Sequence, residues 1–376
     1  MTLYLDHAAT SPLRPEAREA FLRACGIGAN ASSVHGPGRK AKVMVEDARA
    51  TILEALGATG AAGLVFTSGG TEANALALRQ AQDHGNKGFD SIIVSEGEHD
   101  SIYVGAEAVG VPVVRLPLTL DGQADLDTLE TLLAGPGRAF VALMLVNNET
   151  GVINDIAKAA GIVHARGGWL HVDAVQALGK IAIDFRALGA DSLSLSAHKV
   201  GGGQGTGALV YDRNRTIKAA VTGGGQELGL RAGTENVPGI AAFAAAVDTC
   251  HIGMTALHAA QADVESAVKA QGVEIVGEGA PRVPGLLCLA QAHWTSPLQL
   301  IHMDMNGIAV SSGSACSSGK VKASRVVAAM GRPDLADKVL RVSAGWTTTP
   351  EDWQSFLATW SKGYEAFMKR HTKEVA

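Results

Sequence analysis

Two residues of this sequence, Lys199 and Cys316, have neighbours that suit covalent chemistry. Lys199 follows Ser196 and His198 and precedes three glycines. A lysine at the end of an apolar run, flanked by a hydroxyl, an imidazole and glycines, can form a Schiff base beside a phosphate group. Cys316 lies among serines and glycines, a composition typical of a loop that exposes a thiol. An isolated lysine is most often a surface residue, and a free cysteine is most often a packing residue. Both predictions therefore depend on the neighbouring residues.

The remaining cysteines have apolar or helical neighbours and are predicted to be packing residues. The spacing of the cysteines does not fit a disulfide framework or a zinc site. His171 and Asp173 could ligate a metal, but no third ligand with metal spacing accompanies them, so no metal site is predicted. The three packing cysteines are Cys25, Cys250 and Cys288.

Three further segments could bind a ligand. The run Ser68–Glu72 joins an apolar strand to a helical pattern, and its glycines and free helix amides suit a phosphate, although a plain turn is equally expected. Asp173 ends the apolar run Trp169–Asp173, where its carboxylate could keep a heterocyclic nitrogen protonated or could cap a helix. The glycine-rich segment Gly223–Asn236 contains an arginine, so it is either an anion-facing loop or an ordinary surface loop.

The composition excludes several classes of partner. Of the 376 residues, 47% are hydrophobic and 18% are charged, and the formal net charge is -5. This charge is too small to attract nucleic acid or an anionic membrane surface, and no basic stripe stands out. No apolar run is long enough to span a bilayer and no signal-like segment opens the sequence, so we expect a globular, cytoplasmic protein.

The order of apolar and helical patterns predicts the fold class. Apolar runs alternate with helical patterns, which indicates an α/β protein with a mostly parallel sheet covered by helices. The run Phe140–Val146 has no polar residue and predicts an interior strand. A last helix is predicted from Thr349, with Pro350 in its first turn. The predicted strands are Leu64–Thr67, Ile92–Ser95, Val111–Leu116, Ala139–Val146, Trp169–Asp173, Ser192–Ser196, Val273–Val276 and Leu286–Ala290.

A domain boundary is predicted inside the alanine-rich helical stretch that begins near Gly239, because strands become fewer after it. The prediction is a large domain of residues 16–255 and a smaller domain formed by residues 1–15 and 256–376.

Ten segments together resemble the cysteine desulfurases of iron-sulfur cluster assembly and nitrogenase maturation, within the class V aminotransferase-like, fold-type I pyridoxal-phosphate enzymes. The resemblance covers nearly the whole chain and keeps the order of the family motifs. It implies a large domain with a mostly parallel seven-stranded sheet flanked by helices, and a smaller α+β domain. The segments are Tyr4–Thr10, Ala31–Gly36, Phe66–Asn74, Glu98–His99, Asn147–Gly151, Asp173–Gln176, Ser196–Lys199, Gly223–Asn236, Ser311–Ser318 and Arg341–Ser343.

The resemblance implies a role for each matching residue around pyridoxal 5'-phosphate. Lys199 would form the Schiff base, Asp173 would bind the pyridine nitrogen, and His99 would stack on the ring. Gln176 and Asn148 would bind the phenolic oxygen or the substrate carboxylate. The remaining residues bind anionic groups: Gly70, Thr71, Ser196 and His198 would hold the phosphate, Thr234 would join them from the second subunit of a homodimer, and Arg341 would bind the substrate carboxylate.

The implied reaction converts L-cysteine into L-alanine. The freed amine of Lys199 moves the α-proton, and the thiolate of Cys316 attacks the substrate sulfur and keeps it as a persulfide. A neighbouring group such as His99 or the substrate amine would deprotonate the thiol. The persulfide would then pass to a sulfur-acceptor or scaffold protein.

The sequence departs from the family pattern after Lys199, where Val200–Thr206 is rich in glycine and lacks the usual proline and lysine. This departure predicts a looser loop. Trp346 stands where the family usually has an arginine. Alternatives that stay open are a selenocysteine lyase, another class V lyase or aminotransferase, and a non-catalytic accessory protein on the same fold.

Overall fold

The computed structural model describes residues 2–82, 88–250, 254–313 and 322–375, so the predicted nucleophile Cys316 lies outside the described residues. The strands are β1 (Leu3–Tyr4), β2 (Ala62–Thr67), β3 (Ser91–Ser95), β4 (Val113–Leu116), β5 (Ala139–Met144), β6 (Trp169–Asp173), β7 (Ser192–Ser196), β8 (Gly207–Asp212), β9 (Glu274–Ile275), β10 (Leu286–Ala290), β11 (Ile308–Ala309) and β12 (Val339–Ser343). The helices are α1 (Pro15–Cys25), α2 (Gly36–Ala55), α3 (Gly70–Leu78), α4 (Asp100–Tyr103), α5 (Leu126–Leu133), α6 (Ile156–His164), α7 (Phe185–Leu188), α8 (Val237–Thr249), α9 (Met254–Lys269), α10 (Ser296–Met305), α11 (Arg325–Ala329) and α12 (Pro350–Val375).

Seven strands form one sheet in the order β2-β8-β7-β6-β5-β3-β4. The neighbouring pairs from β7 to β4 are parallel, whereas β8 is antiparallel to both β2 and β7. The expected mostly parallel, seven-stranded sheet is therefore confirmed. β6 and β7 have the predicted bounds. β8 follows a glycine run, and no predicted strand covers it.

Helices cover both faces of this sheet, which explains why its interior strands are apolar. All residues of β5 are buried. Val141 packs in one cluster with Ile52 of α2, while Phe140 packs in another cluster with Leu76 of α3. This alternation is what a strand with helices on both sides requires. Since parallel strands end at the same edge, the ends of β6 and β7 lie side by side, with Asp173 opposite Ser194.

A second, antiparallel sheet has the order β12-β10-β9. It has a core of its own, in which Trp353, Phe356 and Trp360 of α12 are fully buried. α12 begins at Pro350, as predicted, and Thr349 Oγ1 accepts a hydrogen bond from the Asp352 amide at 3.3 Å. The predicted domain boundary near residue 255 stays a prediction. None of the helices in the described part of the chain has the length and apolar composition that crossing a bilayer requires.

The described cysteines differ in burial. Cys250 and Cys288 are buried, as predicted, and burial raises their thiol pKa values to about 11 and about 12. The packing prediction for Cys25 is wrong, because this residue is exposed at the end of α1. α1 is amphipathic and buries Ala20 and Ala24. Its last residue therefore faces solvent although its sequence neighbours are apolar.

Candidate active site

A cavity of about 310 Å3 lies at the carboxyl edge of the large sheet, bounded by the ends of β6 and β7, the start of α3, and β12. This is the edge at which α/β folds bind ligands. The cavity brings together all the predicted site residues except Thr234 and Cys316: Gly70, Thr71, His99, Asn148, Asp173, Gln176, Ser196, His198, Lys199 and Arg341.

Lys199 ends a short turn that directly follows β7, so its amine projects from the carboxyl edge of the sheet. Its Nζ donates hydrogen bonds to the carbonyl oxygens of Ala8 and Ala9 at 2.6 and 2.8 Å. The segment before α1 therefore forms one wall of the cavity and orients the amine. The side chain is only partly buried, so the amine can reach a ligand in the cavity.

The start of α3 comes unusually close to the sheet because residue 70 is glycine. A Cβ on Gly70 would lie 2.8 Å from Cγ2 of Val175 and 3.5 Å from Cβ of Ser196. Only glycine lets the free amides of this helix end approach the cavity so closely. His198 lies beside them, with Nδ1 3.1 Å from Thr10 Oγ1. Burial, followed by the charges of Lys199 and Lys180, lowers the pKa of His198 to about 4, so its ring is neutral at pH 7.

Asp173 is a buried carboxylate at the end of β6. Its Oδ2 accepts a hydrogen bond from Asn74 Nδ2 at 2.8 Å, and its Oδ1 accepts one from the Val175 amide at 3.0 Å. Within the described ranges, no lysine, arginine or histidine forms a salt bridge with it. A buried carboxylate without a cation is costly, and its charge helps to raise the pKa of Glu98 well above the usual range, second only to burial. The position suits a ligand that carries a cationic N–H.

His99 precedes α4 and caps its first turn. Its Nδ1 lies 3.1 Å from the Ser101 amide and 2.9 Å from Ser101 Oγ. His99 also lines the cavity. The hydrogen bonds at Nδ1 hold the imidazole in one orientation, as a residue that stacks on a flat ligand requires.

Gln176 is held by a lysine that sequence analysis missed. Its Nε2 donates to Ala8 O at 2.8 Å, and its Oε1 accepts from Lys180 Nζ at 2.9 Å. With the oxygen turned to Lys180 and one N–H bound to Ala8 O, one N–H of the amide group is left for a ligand in the cavity. Burial lowers the pKa of Lys180 to about 7, and the charges of Lys199 and Arg341 add to this effect.

Arg341 supplies a cation on the other side of the cavity. It is 2% exposed, and it donates to Asn148 O at 3.0 Å and to Asp6 Oδ1 at 2.9 Å. Its buried Nε has no partner among the described residues. Asn148 lies beside it and is partly exposed. A carboxylate ligand would satisfy this guanidinium.

Thr234 does not line this cavity within one chain. It is exposed and lines a smaller, separate cavity together with Thr67 and Arg231. Its predicted contact with the phosphate therefore depends on a second subunit and stays a prediction.

The first residues of the glycine-rich loop after Lys199 make contacts with distant parts of the chain. The Arg14 amide and its Nε donate to Gly201 O and Val200 O at 2.9 and 2.8 Å. Trp346 lies against the same loop, 3.3 Å from where a Cβ of Gly201 would be, and its Nε1 donates to Pro12 O. Arg14 and Trp346 thus contact the first two residues of the loop, and the prediction of a looser loop stays a prediction.

Asn74, Ser101 and Lys180 contact predicted site residues, and none was itself predicted. Asn74 closes the segment Phe66–Asn74, and a polar residue on an otherwise apolar helix was the available signal. Ser101 and Lys180 give no such signal, because polar residues are common in turns.

The chain matches the model of the class-V aminotransferase family over residues 3–356. It is 36% identical to a cysteine desulfurase of Cereibacter sphaeroides, over 93% of this chain and 92% of that protein. It is 35% identical to an IscS-like cysteine desulfurase of Mycobacterium tuberculosis, over 94% of each chain.

Solved structures show the same likeness. A NifS-like protein from Rickettsia africae superposes with a TM-score of 0.88 and 33% identity, over 97% of this chain and 100% of that chain. DndA from Streptomyces lividans superposes with a TM-score of 0.74 and 30% identity, over 90% of this chain and 99% of that chain.

Proposed function

The chain belongs to the cysteine desulfurases of the class-V aminotransferase family, and from this premise we propose that it removes the sulfur of L-cysteine with pyridoxal 5'-phosphate bound at Lys199. The observation that carries the proposal is the meeting of Lys199, Asp173, His99 and Arg341 in one cavity. An amine, a carboxylate, an imidazole and a guanidinium are the groups that this chemistry needs.

The residues present fit this cofactor. A Cβ on Gly70 would lie 2.8 Å from Val175, so only glycine keeps the start of α3 this close to the cavity, where a phosphate can reach the helix amides, Thr71 and Ser196. Asp173 is a buried carboxylate that forms no salt bridge with any residue in the described ranges, and it would hold the ring nitrogen. His99 would contact the ring face. When bound, the cofactor accepts the electrons that remain when the Cα–H bond of an amino acid breaks.

The substrate is positioned by residues on the far wall. Arg341 would bind the substrate carboxylate through two parallel hydrogen bonds, which satisfies the unpartnered Nε. Asn148 and Gln176 would bind the carboxylate or the phenolic oxygen. Held in this way, the α-proton faces Lys199, whose Nζ takes it and returns a proton when alanine is released.

We propose that Cys316 accepts the sulfur. Its thiolate would form a bond to the substrate sulfur while the bond from that sulfur to Cβ breaks. The electron pair of the broken bond would stay with the substrate carbon, and Cβ would gain a proton, equal to the one lost by the thiol, to become the methyl group of alanine. A persulfide would remain on Cys316. The described thiols of Cys250 and Cys288 are poor candidates, because burial raises their pKa values to about 11 and about 12. Cys25 is exposed but does not line the cavity.

The ends of segment 314–321 support this proposal. Ser311 and Arg341 exchange two backbone hydrogen bonds, at 2.7 and 3.1 Å. A Cβ on Gly313 would lie 2.4 Å from Glu149 Oε2 and 3.0 Å from Cβ of Ser324, so both ends of the segment lie beside Glu149. Three residues of extended chain span about 10 Å, so a chain that leaves Gly313 has the reach to bring residue 316 to the wall that carries Arg341.

We further propose a homodimer, in which the partner subunit's Thr234 contacts the phosphate. The exposure of Thr234 away from the cavity of its own chain supports this arrangement. The persulfide would pass to a scaffold protein of iron-sulfur cluster assembly in the cytoplasm.

The test uses the purified, cofactor-loaded protein with L-cysteine and a reducing thiol. Equal amounts of alanine and sulfide are expected, and both should be lost in Lys199→Ala and Cys316→Ser, whereas Cys25→Ser should retain full activity. Formation of pyruvate, a requirement for a keto acid, or full activity of Cys316→Ser would contradict the proposal.

A further inference from the structure

One amide behind the cavity connects two of the groups assigned to the cofactor. Asn74, on α3, is 1% exposed. Its Nδ2 donates to Asp173 Oδ2 at 2.8 Å and to Ser101 Oγ at 2.9 Å. Its Oδ1 lies 3.1 Å from His171 Nε2. Both N–H groups and the oxygen of the amide group therefore have a named partner.

The direction of these hydrogen bonds is fixed at both ends of the network. A carboxylate oxygen only accepts, so the amide of Asn74 must turn its nitrogen to Asp173 and its oxygen to His171. At the other end, the indole Nε1 of Trp169 only donates, and it lies 3.1 Å from Ser192 Oγ. The hydroxyl proton of Ser192 is thus left for His171 Nδ1, at 2.9 Å.

His171 consequently donates to Asn74 from Nε2. Its ring is fully buried, and burial lowers its pKa to about 3, so it is neutral and carries a single ring proton. With Nδ1 accepting from Ser192, that proton lies on Nε2. Ser194 Oγ, 3.4 Å from the same nitrogen, is a more distant neighbour.

The hydrogen-bond directions at His99 are fixed through Ser101. Ser101 Oγ accepts from Asn74, so its own proton is directed to His99 Nδ1, at 2.9 Å. The Ser101 amide donates to the same nitrogen at 3.1 Å. When the ring carries a single proton, two donors at Nδ1 place that proton on Nε2 of His99.

We propose that Asn74 is a positioning residue that, through Ser101, fixes His99 as the Nε2–H tautomer while it holds the carboxylate of Asp173. The inference deepens the proposed function, since it is that function that gives His99 and Asp173 a shared ligand. His99 would then meet the ligand as an N–H donor, and its orientation would be coupled to that of Asp173, the residue proposed to hold the ring nitrogen.

The test compares three variants by two readouts. The first readout is the tautomer of His99 in cofactor-free protein, measured by 15N NMR of histidine-labelled samples and assigned against His99→Gln. The second is the visible absorbance of the bound cofactor as a function of pH. Loss of one neutral hydrogen bond changes a two-state ratio about five-fold.

Ser101→Ala removes the hydroxyl donor but keeps the backbone amide, so the ratio of Nε2–H to Nδ1–H should fall about five-fold. Its cofactor spectrum should not change, because Asp173 keeps Asn74. Ser101→Thr retains a hydroxyl and should restore the ratio. Asn74→Leu should change both readouts, because both partners lose a donor.

An unchanged tautomer in Ser101→Ala overturns the proposal, as does a folded Asn74→Leu in which both readouts stay at the values of the parent protein. If Asn74→Leu does not fold, the two Ser101 variants decide. The tautomer is read without cofactor or substrate, so a chain that fails to desulfurate cysteine would still give a valid answer about Asn74.

Discussion

The two walls of the cavity are built in different ways. The wall of α3, β6 and β7 consists of short motifs that meet at one sheet edge, and its polar atoms are paired with each other, as in the network of Asn74, Asp173 and His171. The wall around Arg341 combines β12, the segment of Asn148 and the start of the chain at Asp6.

The second wall also keeps a buried, unpartnered nitrogen, Arg341 Nε, among the described residues. We infer from this difference that the wall assigned to the cofactor is preorganised, whereas the wall assigned to the substrate is completed by the ligand. Substitutions in the cofactor wall should therefore change cofactor affinity, and substitutions in the substrate wall should change KM for cysteine.

The largest effect is expected at the residue that serves both walls. Lys199→Ala should lower turnover of cysteine by at least about 10^3-fold, because the proton at Cα loses its base and the cofactor loses its covalent attachment. The measurement is alanine formation under saturating cysteine. Lys158→Ala, at an exposed lysine of α6, is the control and should be unchanged.

A change in the substrate wall should affect cysteine without affecting the cofactor. Arg341→Met removes a buried, charged donor and should raise KM for cysteine about 30- to 100-fold, with the affinity for the cofactor unchanged. Arg282→Met, which breaks an ion pair with Glu265 outside the cavity, is the control. An equal loss of cofactor affinity in Arg341→Met would show that the walls are not separable.

A change in the cofactor wall should weaken cofactor binding without changing KM for cysteine. Gly70→Ala places a Cβ 2.8 Å from Val175 and should push the start of α3 away from the phosphate, which weakens cofactor binding about 10-fold. KM for cysteine in the fully loaded variant should stay the same. Gly69→Ala is the matched control, because a Cβ there meets nothing within 4 Å. Equal effects of the two substitutions would refute the proposal that the close approach of α3 at Gly70 holds the phosphate.

The smallest effect concerns stability. The pKa of Lys180 is about 7 in the folded protein and near 10.5 in an unfolded chain, so between these values the unfolded chain binds a proton that the folded protein lacks. The free energy of unfolding should therefore rise with pH across this window, by at most about 1.4 kcal/mol per pH unit from this group. Denaturant melts of Lys180→Met should lack that increment, and those of Lys158→Met should keep it.

The sequence predicted the elements whose local pattern is strong. β6 has the predicted bounds because a mostly apolar run ends at the polar Asp173, and β7 because its leucines alternate with serines up to Ser196. β8 was missed because glycines hide its start, and Cys25 was misjudged because apolar neighbours do not reveal which face of a helix a residue occupies.

Long-range contacts limit how much of the site can be predicted from the sequence. The resemblance named Asp173 and His99, but only the fold places Asn74 between Asp173 and Ser101, and Lys180 behind Gln176. The looser loop after Lys199 was predicted from missing residues, and the contacts of Arg14 and Trp346 with Val200 and Gly201 come from distant parts of the sequence. Single-sequence patterns carry no information on such partners.

The most direct test of the central claim is mass spectrometry of the cofactor-loaded protein after brief exposure to L-cysteine, without a reducing thiol. We expect one added sulfur atom on the peptide that contains Cys316, and none in Lys199→Ala. Alanine formation with the added sulfur on Cys25, or with no sulfur on any cysteine, would contradict the account.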